Sequence, residues 1–231
     1  MSEDREDALA SLYPFLYGSR KDEPAENSAL LLSVTEKAAH SIEVKRSFFA
    51  GNAERVVLAA RAIANVYRRH GRIFAMGNGG SSCDAAHFTV EFLHPITAGR
   101  PALSAINLTA DIAMVSAVGN DVGFAHIFVR QLISLARHGD GLIGFSTSGN
   151  SANLIAAFTK ARELGMTTIG IAGMDGGEMA REGLLDHCLV VETDSIHRIQ
   201  ETHVTLYHIF WDLVHTMLAD DRGPLKAGAQ S

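Results

Sequence analysis

The stretch GNGGSSCDAAHFTVE, residues 77–91, places three glycines and two serines ahead of a helical pattern that carries His87 and Glu91 four residues apart. On a helix that spacing puts both side chains on one face, directed back toward the glycine-serine turn. An imidazole and a carboxylate within reach of one another can move protons near neutral pH or ligate a metal. They can also form an ordinary surface hydrogen bond. A second group lies in HRIQETHVTLYHIFWDLVH, which holds His197, His203, His208 and His215 on one helix, with Gln200 ahead of His208. The apolar stripe Ile199, Leu206, Phe210, Leu213 and Met217 accounts for burial of that helix without chemistry, so its histidines are structural by default. Four groups from two helices could surround one ligand, which spacing alone leaves open.

Two turns offer a binding chemistry. GNGGSS follows one short apolar run and STSGNS, residues 146–151, follows another. Each presents hydroxyls and backbone N–H groups at the start of a helix, where the helix dipole also favours an anion. Together they could hold one phosphate; alternatively Ser81, Ser82 and Ser151 are helix caps and the glycines serve tight turns. A dinucleotide site fits less well, because Gly77, Gly79 and Ser82 give G-x-G-x-x-S without the third glycine, and no acidic residue ends ALSAINL. No lysine follows the glycines in the manner of a P-loop. These patterns favour a mononucleotide or sugar phosphate and no nucleotide cofactor.

The elements that must position these groups follow from hydrophobic pattern. RIFAMG, ALSAINL, GLIGFSTS, TTIGIAG and HCLVVET are short apolar runs separated by amphipathic segments, the pattern of parallel strands buried on both faces. SANLIAAFTKARELG is the clearest helix, with Gly165 as its C-terminal stop, and a long helix runs from about His197 to Leu218. The fold class is α/β: a three-layer α-β-α sandwich around a parallel sheet of about five strands, plus N-terminal helices. Residues 33–70 are helical, with Ala38, Ile42 and Phe49 on one face and Val44 and Phe48 on a second row. Gly51 and Asn52 mark a break, giving a helical pair or one broken helix. Val56, Leu58, Ala59, Ile63 and Val66 resume the pattern. Residues 1–32 form an acidic extension with a small apolar patch, LASLYPFLY, residues 33–220 the domain, and 221–231 a frayed tail.

Bulk properties narrow the function classes. With 20 Lys and Arg against 26 Asp and Glu, net charge −6, no chain-wide basic field exists to hold a nucleic acid. No apolar run approaches the roughly 20 residues of a membrane helix, and the acidic start MSEDRED is unlike a secretory leader, so a cytoplasmic protein is expected. The two cysteines, Cys83 and Cys188, read as reduced packing thiols.

GNGGSSCDAAHFTVE, STSGNSAN and RIQETHVTLYH together resemble the sugar isomerase (SIS) domain, and specifically the phosphoheptose isomerases, over roughly residues 40–220. The resemblance implies a flavodoxin-like SIS fold and an aldose-ketose isomerase, an intramolecular oxidoreductase. Such an enzyme converts sedoheptulose 7-phosphate to D-glycero-D-manno-heptose 7-phosphate by enediol proton transfer. It implies that Asn78, Gly79, Gly80 and Ser81 form the first substrate turn, Asn120 and Asp121 a second contact, and Ser146, Thr147, Ser148 and Ser151 the phosphate turn. Glu91 is then the base at C1 and C2 and His208 its partner acid-base. His87, Glu91, Gln200 and His208 match the family's zinc ligands, and Gln200 also faces substrate. The family further implies a homotetramer with sites at subunit interfaces. Two positions depart from its pattern: Pro95 stands near a usual arginine, and His197 where an aspartate often precedes Arg-Ile-Gln. A non-catalytic phosphosugar-binding regulator or adaptor, or an isomerase of another sugar phosphate, are the alternatives. Retention of Glu91 and His208 favours an enzyme.

Overall fold

A computed structural model describes residues 23–97 and 99–219 of the chain. The apolar patch LASLYPFLY and the tail expected at 221–231 lie outside the described residues. The chain divides into two compact units, Met1–Ile42 and Glu43–Ser231. Helix α1 spans Glu23–Arg68, running through the boundary expected at residue 32. In the first unit its side chains Leu30, Leu31, Leu32, Val34 and Ile42 are exposed.

The second unit alternates strand and helix: β1 Ile73–Gly77, α2 Gly80–Leu93, β2 Ala105–Asn107, α3 Ile112–Asp121, α4 Ile127–Leu135, β3 Gly141–Ser146, α5 Ala152–Glu163, β4 Thr167–Gly173, β5 His187–Val191 and α6 Ile196–Ala219. The five strands pair in the order β2-β1-β3-β4-β5, and every pair is parallel. All five coincide with the apolar runs read from the sequence.

Alternation along the strands sends side chains into two separate cores. Ile73, Ala75, Ile143, Phe145, Ile169 and Ile171 pack on one face against α1, α2 and α6, through residues such as Ile63, Phe88 and Phe210. Phe74, Met76 and Leu142 pack on the other face against α3, α4 and α5, through Val118, Phe128 and Phe158. Each fully buried large side chain of this kind contributes about 1.5–3 kcal/mol relative to exposure. This is the expected three-layer sandwich.

Helix α1 differs from the expectation. Gly51 and Asn52 lie inside it without a break. Asn52 satisfies itself locally, its Nδ2 donating to the Phe48 carbonyl at 3.0 Å. Phe48 behind and Val56, Ala59 and Ile63 ahead are anchored in the same core, so tertiary packing carries the helix through a weak former. Of the two apolar rows on this segment, the face of Ala38, Ile42 and Phe49 is largely uncovered, since Ala38 and Ile42 are exposed.

At the amino ends of the strands Asp140, 3% exposed, accepts the backbone N–H groups of Arg72 and Arg137. It also pairs with the Arg72 guanidinium at 2.9 Å. This arrangement closes the sheet at the end away from the glycine-serine turns. Cys83 and Cys188 are free thiols. Among the described residues no helix is long and apolar enough to cross a membrane.

Candidate active site

The chain leaves β1 for β2 on one side and returns as β3 on the other, so the sheet order reverses at β1. In open parallel sheets the crevice beyond the carboxyl ends of such strands is where ligands bind. The GNGG turn after β1 and the STSGN turn after β3 both open there, because Gly77 is in register with Phe145.

Glycine is required in the first turn for reasons of space. A Cβ on Gly77 would lie 2.2 Å from the Ser81 carbonyl oxygen, and one on Gly80 would lie 2.2 Å from Nε2 of Gln200. Gln200, from α6, therefore sits directly on the turn. Gly79 is the N-cap residue of α2 at φ 53, and no side chain caps that helix. Ser81 is buried within it, and the Ser82 hydroxyl donates to the Gly79 carbonyl at 2.6 Å. The capping reading of these serines does not hold, and Ser151, although at the N-cap of α5, makes no side-chain capping bond either.

One helical turn further along α2 the chemistry begins. His87 Nε2 lies 3.0 Å from Glu91 Oε1, and His208 Nε2, from α6, lies 3.9 Å from the same oxygen. A ring nitrogen of each histidine and one Glu91 oxygen all lie within 4.8 Å of one another. Two imidazoles and a carboxylate are the three-ligand set that catalytic zinc sites use while leaving a position open, so the donor chemistry fits such an ion. The carboxylate is the least exposed of the three, at 22% against 43% and 46% for the side chains of His87 and His208.

Three further residues hold this group. The Tyr207 hydroxyl lies 2.7 Å from His87 Nδ1, and Trp211 Nε1 donates to the Glu91 carbonyl at 2.9 Å. Arg100 stacks over the Trp211 ring at 4.3 Å. Burial pushes the Tyr207 phenol well above its ordinary value, and the charges of Asp84 and Glu91 add to the shift, so the hydroxyl stays protonated.

The second turn is preorganised. The Ser146 hydroxyl accepts from the Gly149 N–H at 3.1 Å and lies 3.3 Å from the Ser151 hydroxyl. Asn150 Nδ2 donates to the Ser148 carbonyl, while its Oδ1 accepts from the Glu178 N–H at 2.9 Å, bracing the turn against the segment after β4. Thr147 and Ser148 are half-buried on the same turn. Asn78 and Asn153 link the two turns through a pair of amide hydrogen bonds.

The structure thus brings together His87, Glu91 and His208, and sets Gln200 on Gly80. Asn120 and Asp121 stand at the end of α3, where the Asn120 amide donates to the Asp121 carboxylate at 2.7 Å. Of the other histidines on α6, His203 is fully buried, with Nε2 at 3.3 Å from the Ala172 carbonyl, and His215 packs between Phe92 and Trp211. Tyr207, Trp211 and Asn153 are absent from the candidates read from sequence. Tyr207 lies four residues after His203 and Trp211 four after Tyr207, so helical spacing on α6 is the signal that could have found them.

A family model described as the SIS domain matches residues 38–173. The phosphoheptose isomerase of Nitratidesulfovibrio vulgaris is 40% identical over 188 residues, covering 81% of this chain and 89% of that protein. That of Aneurinibacillus thermoaerophilus is 43% identical over 157 residues, covering 68% of this chain and 78% of the other. The solved structure of the phosphoheptose isomerase from Neisseria gonorrhoeae superposes with a TM-score of 0.75 at 38% identity, covering 81% of this chain and 99% of that one.

Proposed function

Because this chain belongs to the phosphoheptose isomerases of the SIS-domain family, we propose that it interconverts sedoheptulose 7-phosphate and D-glycero-D-manno-heptose 7-phosphate. The observation that carries the reading is the meeting of His87, Glu91 and His208, from two helices, beside a pair of hydroxyl-rich turns at the sheet's switch point.

In this reading the substrate phosphate sits in the Ser146–Ser151 turn, with Ser81 opposite. Asn78, Gly79, Gly80, Asn120, Asp121 and Gln200 contact the sugar. Glu91 takes a proton from C1 of the ketose and the carbonyl oxygen at C2 gains one, giving the enediol. The carboxyl group then returns its proton to C2 while the O1 hydroxyl gives up its own, leaving the aldose. His208 carries the proton between the two oxygens, so one proton moves between carbons and one between oxygens. His87, Glu91, Gln200 and His208 would hold a zinc ion, which when bound polarises the sugar carbonyl and stabilises negative charge on its oxygens. Glutamine is an uncommon partner in such a set, whose usual ligands are thiolate, imidazole and carboxylate. The reading extends to a homotetramer with sites at subunit interfaces and, given two free thiols, to the cytoplasm.

The test is conversion of sedoheptulose 7-phosphate by the purified protein, with and without zinc, beside the Glu91→Gln variant. Turnover that Glu91→Gln abolishes, with phosphate binding retained, is the expected result. Unchanged turnover in that variant removes Glu91 as the base. No turnover by a wild-type protein that binds sugar phosphates moves the reading to another substrate or a binding role.

A further inference from the structure

We propose that Tyr207 is a positioning residue that keeps Nε2 of His87 turned toward Glu91 and His208, its hydroxyl changing from donor to acceptor when a divalent metal takes that nitrogen. The inference rests on the reading of His87 as a metal ligand in the proposed site and adds the residue that orients it.

Tyr207 has little freedom. It is 1% exposed and one position before His208 on α6. Its ring meets those of His87, His208 and Phe145 edge-on at 5.1, 5.0 and 6.0 Å. That slot delivers the hydroxyl to His87 Nδ1 at 2.7 Å, and the opposite ring nitrogen is thereby presented to Glu91 at 3.0 Å.

The hydrogen positions follow from donor and acceptor counting. A neutral imidazole has one N–H and one lone pair. In the neutral ring, a hydrogen on Nε2 faces the Glu91 carboxylate and leaves the lone pair of Nδ1 to receive the Tyr207 O–H. With a metal on Nε2 the count reverses. The Nε2 hydrogen leaves to solvent, one is taken up at Nδ1, and the ring stays neutral while Nδ1 becomes the donor. A carboxylate in place of Tyr207 could only accept, and a backbone N–H could only donate. A phenol hydroxyl does both, so the ring keeps one orientation through loading and loss of the ion.

Tyr207→Phe keeps the ring and its packing and removes only this hydroxyl. The experiment is zinc titration of the metal-free full-length protein and of Tyr207→Phe against a chromophoric chelator. It is combined with nitrogen NMR of histidine-labelled wild-type protein, using His87→Gln to assign the His87 signals. Zinc affinity is expected to fall about ten- to a hundredfold in Tyr207→Phe, the usual consequence of losing an outer partner of a ligating histidine. In wild-type protein Nδ1 of His87 is expected to be unprotonated without zinc and protonated with it. Equal zinc affinity in the two proteins, or a hydrogen on Nδ1 in the metal-free wild type, overturns the role of Tyr207 alone. A wild-type protein that binds no zinc overturns the metal reading together with this inference. The wild-type spectra decide the matter even if Tyr207→Phe does not fold.

Discussion

The carboxamides of Asn78 and Asn153 bond to one another twice, each Nδ2 donating to the other's Oδ1 at 2.9 Å. Asn78 belongs to the turn after β1, and Asn153 to the first turn of α5 after β3. The pair spans the switch point of the sheet and fixes the separation of the turn after β1 from the turn after β3. Asn153 is 2% exposed, and its Oδ1 also accepts the Leu154 N–H at 3.0 Å, so the bridge is held from one side by the helix itself.

Asn153→Ala removes both bonds and strands the Asn78 amide. At about 0.5–1.5 kcal/mol per bond plus part of the cost of an unpaired amide, a loss of about 2–3 kcal/mol is expected. Urea denaturation measures it. The two turns also lose their common brace, so KM for sedoheptulose 7-phosphate should rise several-fold. An unchanged denaturation midpoint and KM would mean that the turns hold their separation without the pair.

Two glycines of the site should respond oppositely to alanine. At Gly149, φ is +68 and a Cβ would sit 1.9 Å from the backbone oxygen of Gly176, so the turn itself must open. Gly149→Ala is expected to lower the melting temperature sharply, the left-handed backbone alone costing about 1–2 kcal/mol. At Gly80 the obstacle is the amide end of Gln200, which can swing away. Gly80→Ala should melt near the wild-type temperature while losing turnover and zinc affinity, because Gln200 is displaced. Thermal melts and activity assays on both variants separate the outcomes, and a Gly80→Ala protein with full turnover would exclude Gln200 from the site.

What was legible in the sequence followed from local pattern. The five strands were readable because both faces of a parallel strand are buried, which leaves continuous apolar runs such as IFAMG and GLIGFS. His87 and Glu91 were readable because four residues is one helical turn. Their meeting with His208 depends on how α2 packs on α6, where Phe92 stacks on His215 at 6.1 Å, and no spacing within either helix encodes that contact. Gln200 and His208 stood out as polar groups on α6, but only the family resemblance gave them a role beside Glu91. Asn153 escaped notice because its partner lies 75 residues away. Asn52 misled the reading of α1, since its bond back to the Phe48 carbonyl belongs to the helix rather than to a break.

Stability should form a plateau bounded by two neighbours on β5. Burial lowers the pKa of His187 from 6.5, Asp186 opposing the shift and Arg55 reinforcing it, so the neutral ring is the form the fold prefers. That contribution is present above 6.5 and lost as pH falls through the lowered value. Burial raises the Cys188 thiol from 9.0 to about 11, with Arg55 opposing. Its contribution is present below 9.0 and lost as pH rises toward 11, and the Tyr67 and Tyr207 phenols, also raised by burial, extend the loss. Urea midpoints measured across this range should fall at both ends. Cys188→Ala should flatten the onset of the alkaline limb and His187→Gln the acid limb. A limb unaltered by its variant would assign that limb to other groups.

Helix α1 offers a stabilising change at the position that looked like an interruption. Gly51 is exposed, lies inside the helix, and has nothing within 4 Å of where a Cβ would stand. Alanine there meets no clash and removes the entropic penalty of a mid-helix glycine, about 0.5–1 kcal/mol. A domain of this size shifts by roughly 2–4 °C per kcal/mol, so Gly51→Ala should melt about 1–4 °C higher. Gly51→Pro should act in the opposite sense by about 3 kcal/mol, because it deletes a helical hydrogen bond and crowds the preceding turn. Were the chain broken at this point, proline would be tolerated and alanine would bring no gain. The pair of melts therefore distinguishes one continuous helix from two.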